Sequence, residues 1–297
     1  EPKLRRVNDG IAENYEAKDS KKYYAALEDA VNAKDSTITV LKNAEVESTM
    51  TINTNVTIQN TNGRNVTIYR GTGLATADMF AVTTAGTLTI KGIENATSIV
   101  LDGRTKAEAL ANTGRDAAAG SKGSMISNFG NLNLENVTAQ YVRKTSDTGG
   151  VINNNSDNKT NANATVTIEN CVFDNNFAAS YGAGMYSRGK SSITNTVFSN
   201  NKSNANGAAL CNHTGASFAV DGCTFEGNSG ASGGAIWNNM TVTIQNTTFK
   251  ANVASGNSGA IENSGSNLKV IGCTFEGNTA TGHGGAINNG GAGLIVE

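Results

Sequence analysis

An F-x-x-N motif recurs at Phe173, Phe198, Phe225, Phe249 and Phe275, and each copy is followed by a Gly/Ala-rich run of G-G-A-I type starting at Gly182, Gly207, Gly233, Ser258 and Gly284. Successive Phe positions lie 25, 27, 24 and 26 residues apart, and successive runs 25, 26, 25 and 26. Self-similarity at this period implies stacked supersecondary units that share a continuous core, rather than one globular core.

The pattern within one repeat says what the unit is. Val166-Thr167-Ile168, Val242-Thr243-Ile244 and Leu268-Lys269-Val270 alternate apolar and polar residues, as a short half-buried strand does. Each repeat holds three such pieces, a V-T-I strand, a T-F strand and a G-A-I strand, separated by Asn/Gly turns. Three short strands plus turns fill about 25 residues, one coil of a three-faced parallel β-helix. Parallel crossovers are nearly always right-handed, so the expected fold is an all-β, right-handed parallel β-helix.

The turn residues agree. Asn136, Asn170, Asn195, Gly222, Asn246 and Gly272 follow the V-T-I strand, and Asn and Gly interchange there because both tolerate the left-handed backbone. A second column is Asn176, Asn201, Asn228, Asn252 and Asn278; a third is Asn128, Asn154, Ser187, Asn212, Asn238, Asn263 and Asn289. Residues stacked one strand spacing apart, about 4.8 Å, can join their amides into ladders, so these asparagines are expected to be structural.

Along the chain, residues 1–17 read as a polar leader and residues 18–35 as a capping helix, with Ser20 at its start and Tyr24, Leu27, Ala30 and Val31 on or beside one face. Such a helix would cover the open first coil. The β-helix is expected over 36–297. Two insertions interrupt it, Gly103 to Gly123, with a helical turn near Ala107 to Leu110, and the Asn-rich Asn153 to Ala164. Insertions of this kind often carry binding, and equally often are plain solvated loops. Leu294-Ile295-Val296 reads as the first strand of a further coil, so the chain is expected to be a C-terminally truncated piece of a longer protein, prone to end-to-end association.

The charge balance limits the partners. A net charge of −2 with scattered Lys and Arg argues against nucleic acid. No apolar run is long enough for direct membrane insertion by this segment, and no signal peptide is visible.

The paired motifs, as in Phe225-Glu226-Gly227-Asn228 with Gly233-Gly234-Ala235-Ile236, resemble the polymorphic outer membrane protein repeat of chlamydial surface proteins, and are similar to those of adhesin-like right-handed β-helix proteins. The likeness covers about residues 123–297; Gly182-Ala183-Gly184-Met185 and Gly207-Ala208-Ala209-Leu210 depart from it, as does Ser258. It implies an extracellular or surface-displayed passenger segment used in adhesion to a host or neighbouring-cell protein or glycan, and transfers no receptor.

Catalytic chemistry on a β-helix needs paired carboxylates, or a carboxylate with Arg or Lys, on adjacent coils. Asp174, Glu226 and Glu276 sit in outward turns with Lys250 among them and read as solvated surface; Asp102 with Arg104 is the remaining candidate pair. No catalytic residue and no cofactor is assigned. The rival readings are a polysaccharide lyase or hydrolase and a purely structural spacer. Four Cys and two His show no metal-ligand spacing. Cys171, Cys223 and Cys273 share one inward place with Thr196 and Thr247 between them, and two coils, about 9.5 Å, separate successive Cys, too far for a disulfide.

One outward column stands apart. If Ile236 points inward, Trp237 points outward with Tyr186, Cys211 and Glu262 at equivalent places, and two residues after each of the first three lie Arg188, His213 and Asn239. Tyr186, Arg188, His213 and Trp237 form the candidate ligand-binding stripe, since flat rings stack on sugars and anchor interfaces. The alternative is that Trp237 packs beneath other parts of the chain.

Overall fold

The structure is a computed structural model that describes residues 15–17, 22–61, 63–94, 96, 98–113, 123–154, 164–265 and 267–297. The three strands of each coil stack on their counterparts in the next, and the result is a parallel β-helix. The V-T-I sheet runs from Thr37–Val40 to Leu294–Val296, the T-F sheet from Ala44–Val46 to Thr274–Glu276, and the G-A-I sheet from Met50–Ile52 to Ile287–Asn289. Period-two alternation sets the inside: Val166 and Ile168 are buried while Thr167 between them is exposed. Register follows the sequence repeat, and Phe173, Phe198, Phe225, Phe249 and Phe275 are direct partners up the stack. Their rings lie 4.9 to 5.0 Å apart, the last four within 6° of coplanar, an inner aromatic column at the strand spacing.

A fourth sheet of two-residue strands, from Arg143–Lys144 to Thr279–Ala280, lies between the T-F and G-A-I sheets. Two residues show no periodicity, so the three-strand reading passes over it.

The F-x-x-N motif is a hydrogen-bonding device. The Nδ2 of Asn201 donates to Asn228 Oδ1 at 3.0 Å and to the carbonyl of Phe173 at 2.9 Å, and Asn228 and Asn252 repeat the pattern one and two coils on. Each Oδ1 also accepts the backbone N–H of the preceding ladder residue, as Asn228 Oδ1 does from Asn201 at 3.0 Å. The amide is buried and fully used, which is why an Asn stands three residues after each Phe. The third column forms a second ladder, Asn128 to Asn154 and Asn212 through Asn238 and Asn263 to Asn289.

The expected helix over 18–35 is shorter. It spans Leu27–Asn32 (α1), burying Leu27, Ala30 and Val31. Lys22–Tyr24 is a strand paired antiparallel with Tyr15–Ala17, which pairs antiparallel with Thr37–Val40. Tyr15–Ala17 therefore covers the edge of the first coil as a strand, and Lys22–Tyr24 pairs with it in turn, because that edge presents backbone donors and acceptors that a helix cannot pair. Ser20, the expected cap, lies outside the described residues. The first insertion carries the predicted helical turn as Lys106–Leu110 (α2), closed by a capping box between Thr105 and Glu108; residues 114–122 and 155–163 of the two insertions lie outside the described set.

Candidate ligand-binding site

The middle residues of Met185–Ser187, Leu210–Asn212 and Ile236–Asn238 are register partners, Tyr186 to Cys211 to Trp237, and all face away from the core occupied by Met185, Leu210 and Ile236. The ladder residue Ser187, Asn212 or Asn238 turns inward next, and Arg188, His213 and Asn239 follow at the turn. Strand alternation and coil stacking thus bring the four expected residues together. Tyr186 and Trp237, two coils apart, are about 9.5 Å apart along the stack. His213 bridges them, its ring 5.4 Å from Tyr186 and 5.7 Å from Trp237.

A fourth ring completes the group. Tyr181, in the turn before the left-handed Gly182, lies 6.3 Å from Tyr186, 6.3 Å from His213 and 6.0 Å from Trp237. It has no place in a strand pattern, and its only sequence signal is an aromatic directly before the Gly of the second motif. Cys211 is the floor. Although it faces outward by register it is fully buried, because its small side chain leaves the space over which the four rings converge. Tyr186 is likewise only 4% exposed, whereas Tyr181, Arg188, His213 and Trp237 are half-buried. The stripe expected to be freely outward is a covered cluster with an open rim.

Its electrostatics follow from burial. Desolvation raises the Tyr186 hydroxyl above its usual range, against the Arg188 hydrogen bond, and pushes the Cys211 thiol well up. Burial, and then the neighbouring Arg188 cation, lower the His213 imidazole, and its Nδ1 is buried with no hydrogen-bond partner. Arg188 donates from Nε to the Tyr186 hydroxyl at 2.7 Å. Beyond Trp237 the column continues to Glu262, whose carboxyl is raised by burial and accepts from Asn288 Nδ2 at 2.9 and 3.1 Å.

The other sequence candidates are committed to structure. Asp102 accepts from Arg104 Nε at 2.9 Å, Arg104 Nη2 at 2.7 Å and Gln140 Nε2 at 2.9 Å, and the guanidinium lies 3.9 Å over the Tyr141 ring. That pair has no oxygen left for proton transfer. Glu226 pairs with Lys250 at 3.0 Å on open surface, and Asp174 accepts from Ser199 and Asn200. The four cysteines are free thiols. Cys171, Cys223 and Cys273 each donate to the carbonyl two residues back, as Thr196 and Thr247 do between them, so one short donor is needed at this place. Among the described residues no group of three or more His, Cys, Asp and Glu is placed to hold a metal, and no helix is long and apolar enough to cross a membrane.

The family model described as right handed beta helix region matches residues 122–297, more than half of the chain. The chain belongs to the right-handed β-helix family. The family includes enzymes and non-enzymes alike, so membership fixes the fold of this β-helix and not its activity. No curated protein and no solved structure matches it.

Proposed function

We propose that this β-helix is a non-enzymatic passenger or stalk segment of a prokaryotic surface or secreted adhesin, displayed outside the cell. It engages a protein or glycan of a host or neighbouring cell through Tyr181, Tyr186, Arg188, His213 and Trp237. The observation that carries the reading is the cluster of four rings on the outer side of the G-A-I sheet, where the regular coils otherwise place small or polar residues. Half-buried rings with exposed rims are the anchors that binding surfaces use. The resemblance of the motifs to chlamydial surface repeats supports the setting.

A second reading, a polysaccharide-active enzyme, is favoured by Glu262, a carboxylate raised by burial one coil from Trp237. A hydrolase of the usual kind needs a second carboxylate facing the first. Asp102 is engaged with Arg104, and Asp174, Glu226 and Glu276 end strands of the T-F sheet.

The test is binding of the intact chain to an array of glycans and a panel of host surface proteins, repeated with Trp237→Ala. Loss of roughly tenfold or more in affinity, about 1.4 kcal/mol, is expected for whatever partner is found. Unchanged binding in the variant overturns the site, and new reducing ends or unsaturated sugars released from polysaccharides overturn the non-enzymatic reading.

A further inference from the structure

Arg188 stands at the rim of the ring cluster with an unused recognition surface. Its Nε is spent on the Tyr186 hydroxyl at 2.7 Å, and the guanidinium carbon lies 5.8 Å from the Tyr186 ring centroid, so the side chain is held in one direction. Its two terminal amino groups make no hydrogen bond to the described residues. Its charge acts on Tyr186, Cys211 and His213. A guanidinium fixed through Nε presents its remaining donors as a fork, which matches the two oxygens of a carboxylate or sulfate. Beside it Tyr181 and Trp237, 6.0 Å apart, offer ring faces suited to the apolar face of a pyranose. The Nδ1 of His213, whose ring lies 5.7 Å from Trp237 and 6.3 Å from Tyr181, is buried with no hydrogen-bond partner among the described residues.

We infer that the ligand of this cluster is an acidic sugar, a pyranose carrying a carboxylate or sulfate, with the anion on Arg188 and the ring stacked on Tyr181 and Trp237. The inference rests on the cluster being a ligand site. The nearby acids are placed to allow it: Asp147, close enough to influence Tyr186, is an exposed surface residue, and Glu262 lies on the far side of Trp237, three coils from the Arg188 strand. An acidic ligand is thereby oriented, with its anion toward Arg188 and its neutral end toward Glu262.

The experiment titrates the intact chain with four probes of equal length: a uronate-containing oligosaccharide, the same molecule with its carboxylates methyl-esterified, a sulfated oligosaccharide and a neutral one. The uronate, the sulfated probe or both are expected to bind at least about tenfold more tightly than the neutral and esterified forms, and to weaken with salt. Which of the two binds distinguishes carboxylate from sulfate. Arg188→Gln is expected to close the gap between acid and ester, Arg188→Lys to close it partly because the charge stays and the fork is lost, and Trp237→Ala to weaken acid and ester together. Equal binding of acid and ester by the unaltered chain overturns the inference without recourse to any variant. So does a gap that survives Arg188→Gln. If no oligosaccharide binds but a protein partner is lost in Trp237→Ala, the acidic-sugar inference fails and the adhesin reading stands; if Trp237→Ala changes binding to nothing, both fail.

Discussion

From Asn136 onward left-handed backbone recurs at fixed places in each coil, and the side chains there differ in how well they suit it. In the turn before the Asn ladder the positive φ falls on Asn175, Asn200, Gly227, Ala251 and Gly277, with Ala251 at 52°. Asn and Gly accept this region, whereas a Cβ without a local hydrogen bond costs about 1 kcal/mol there. Ala251→Gly is therefore expected to stabilise the protein by roughly 0.5 kcal/mol after the added freedom of the unfolded chain is subtracted, visible as a higher urea midpoint at unchanged slope. His213 gives a second residue-scale prediction. Its proton affinity is below the usual 6.5 in the folded protein, so as pH falls the unfolded chain takes up a proton first. Stability should be level above about pH 7 and decline as pH drops through 6.5 toward the lower folded value. His213→Asn is expected to remove that decline, and NMR titration of the imidazole should give a midpoint below 6.5. The Asn/Gly interchange was readable in the sequence because it repeats; Tyr181 was not, because a single turn residue carries no period and its neighbours in space come from other coils.

At the scale of elements the ladders carry the interest. The second ladder is interrupted where Ser187 replaces Asn: Asn154 donates to Ser187 Oγ at 2.8 Å, but a hydroxyl has no amide to pass on, and Asn212 Oδ1 is left buried without a donor. Ser187→Asn is expected to restore the missing bond and raise stability by about 1 kcal/mol, provided the larger side chain fits beside Ser191. Slower amide exchange in Leu210–Asn212 would confirm it, and a lower melting temperature would show the place too tight. In the intact ladder the opposite change is severe. Asn228→Ala removes bonds to Asn252, Asn201 and the Phe198 carbonyl and leaves buried groups unpaired, so a loss of about 3 kcal/mol or more is expected in denaturant unfolding. The three long sheets and both ladder columns could be read from periodicity alone. The helix boundary could not: Tyr15–Ala17 pairs the open edge of the first coil and Lys22–Tyr24 adds to Tyr15–Ala17 as a further strand, a tertiary demand that overrides local pattern.

Across the whole molecule the same repeat fixes the thiol chemistry. Burial pushes Cys171 up to about 12 and Cys223 to about 11, raises Cys211 well above its usual value, and raises half-buried Cys273 as well. All four remain protonated near neutral pH and none is bridged. Denatured, unreduced protein should titrate as four free thiols; in the native state Cys273 should react first and Cys211 only on opening of the stack, with two or fewer thiols in denaturant contradicting the structure. Both ladders also share a sense of direction. From Asn176 to Asn278 and from Asn212 to Asn289, the amide-to-amide bond always runs from the N–H of one coil to the oxygen of the next. Any cut between these coils therefore leaves, in each ladder, an amide N–H on the upstream face and an amide oxygen on the downstream face, like a tenon and its mortise. Coils can be duplicated, deleted or exchanged between such chains only in one orientation, and a gene segment encoding a whole repeat, cut anywhere within the period, brings its own matching joint at both ends.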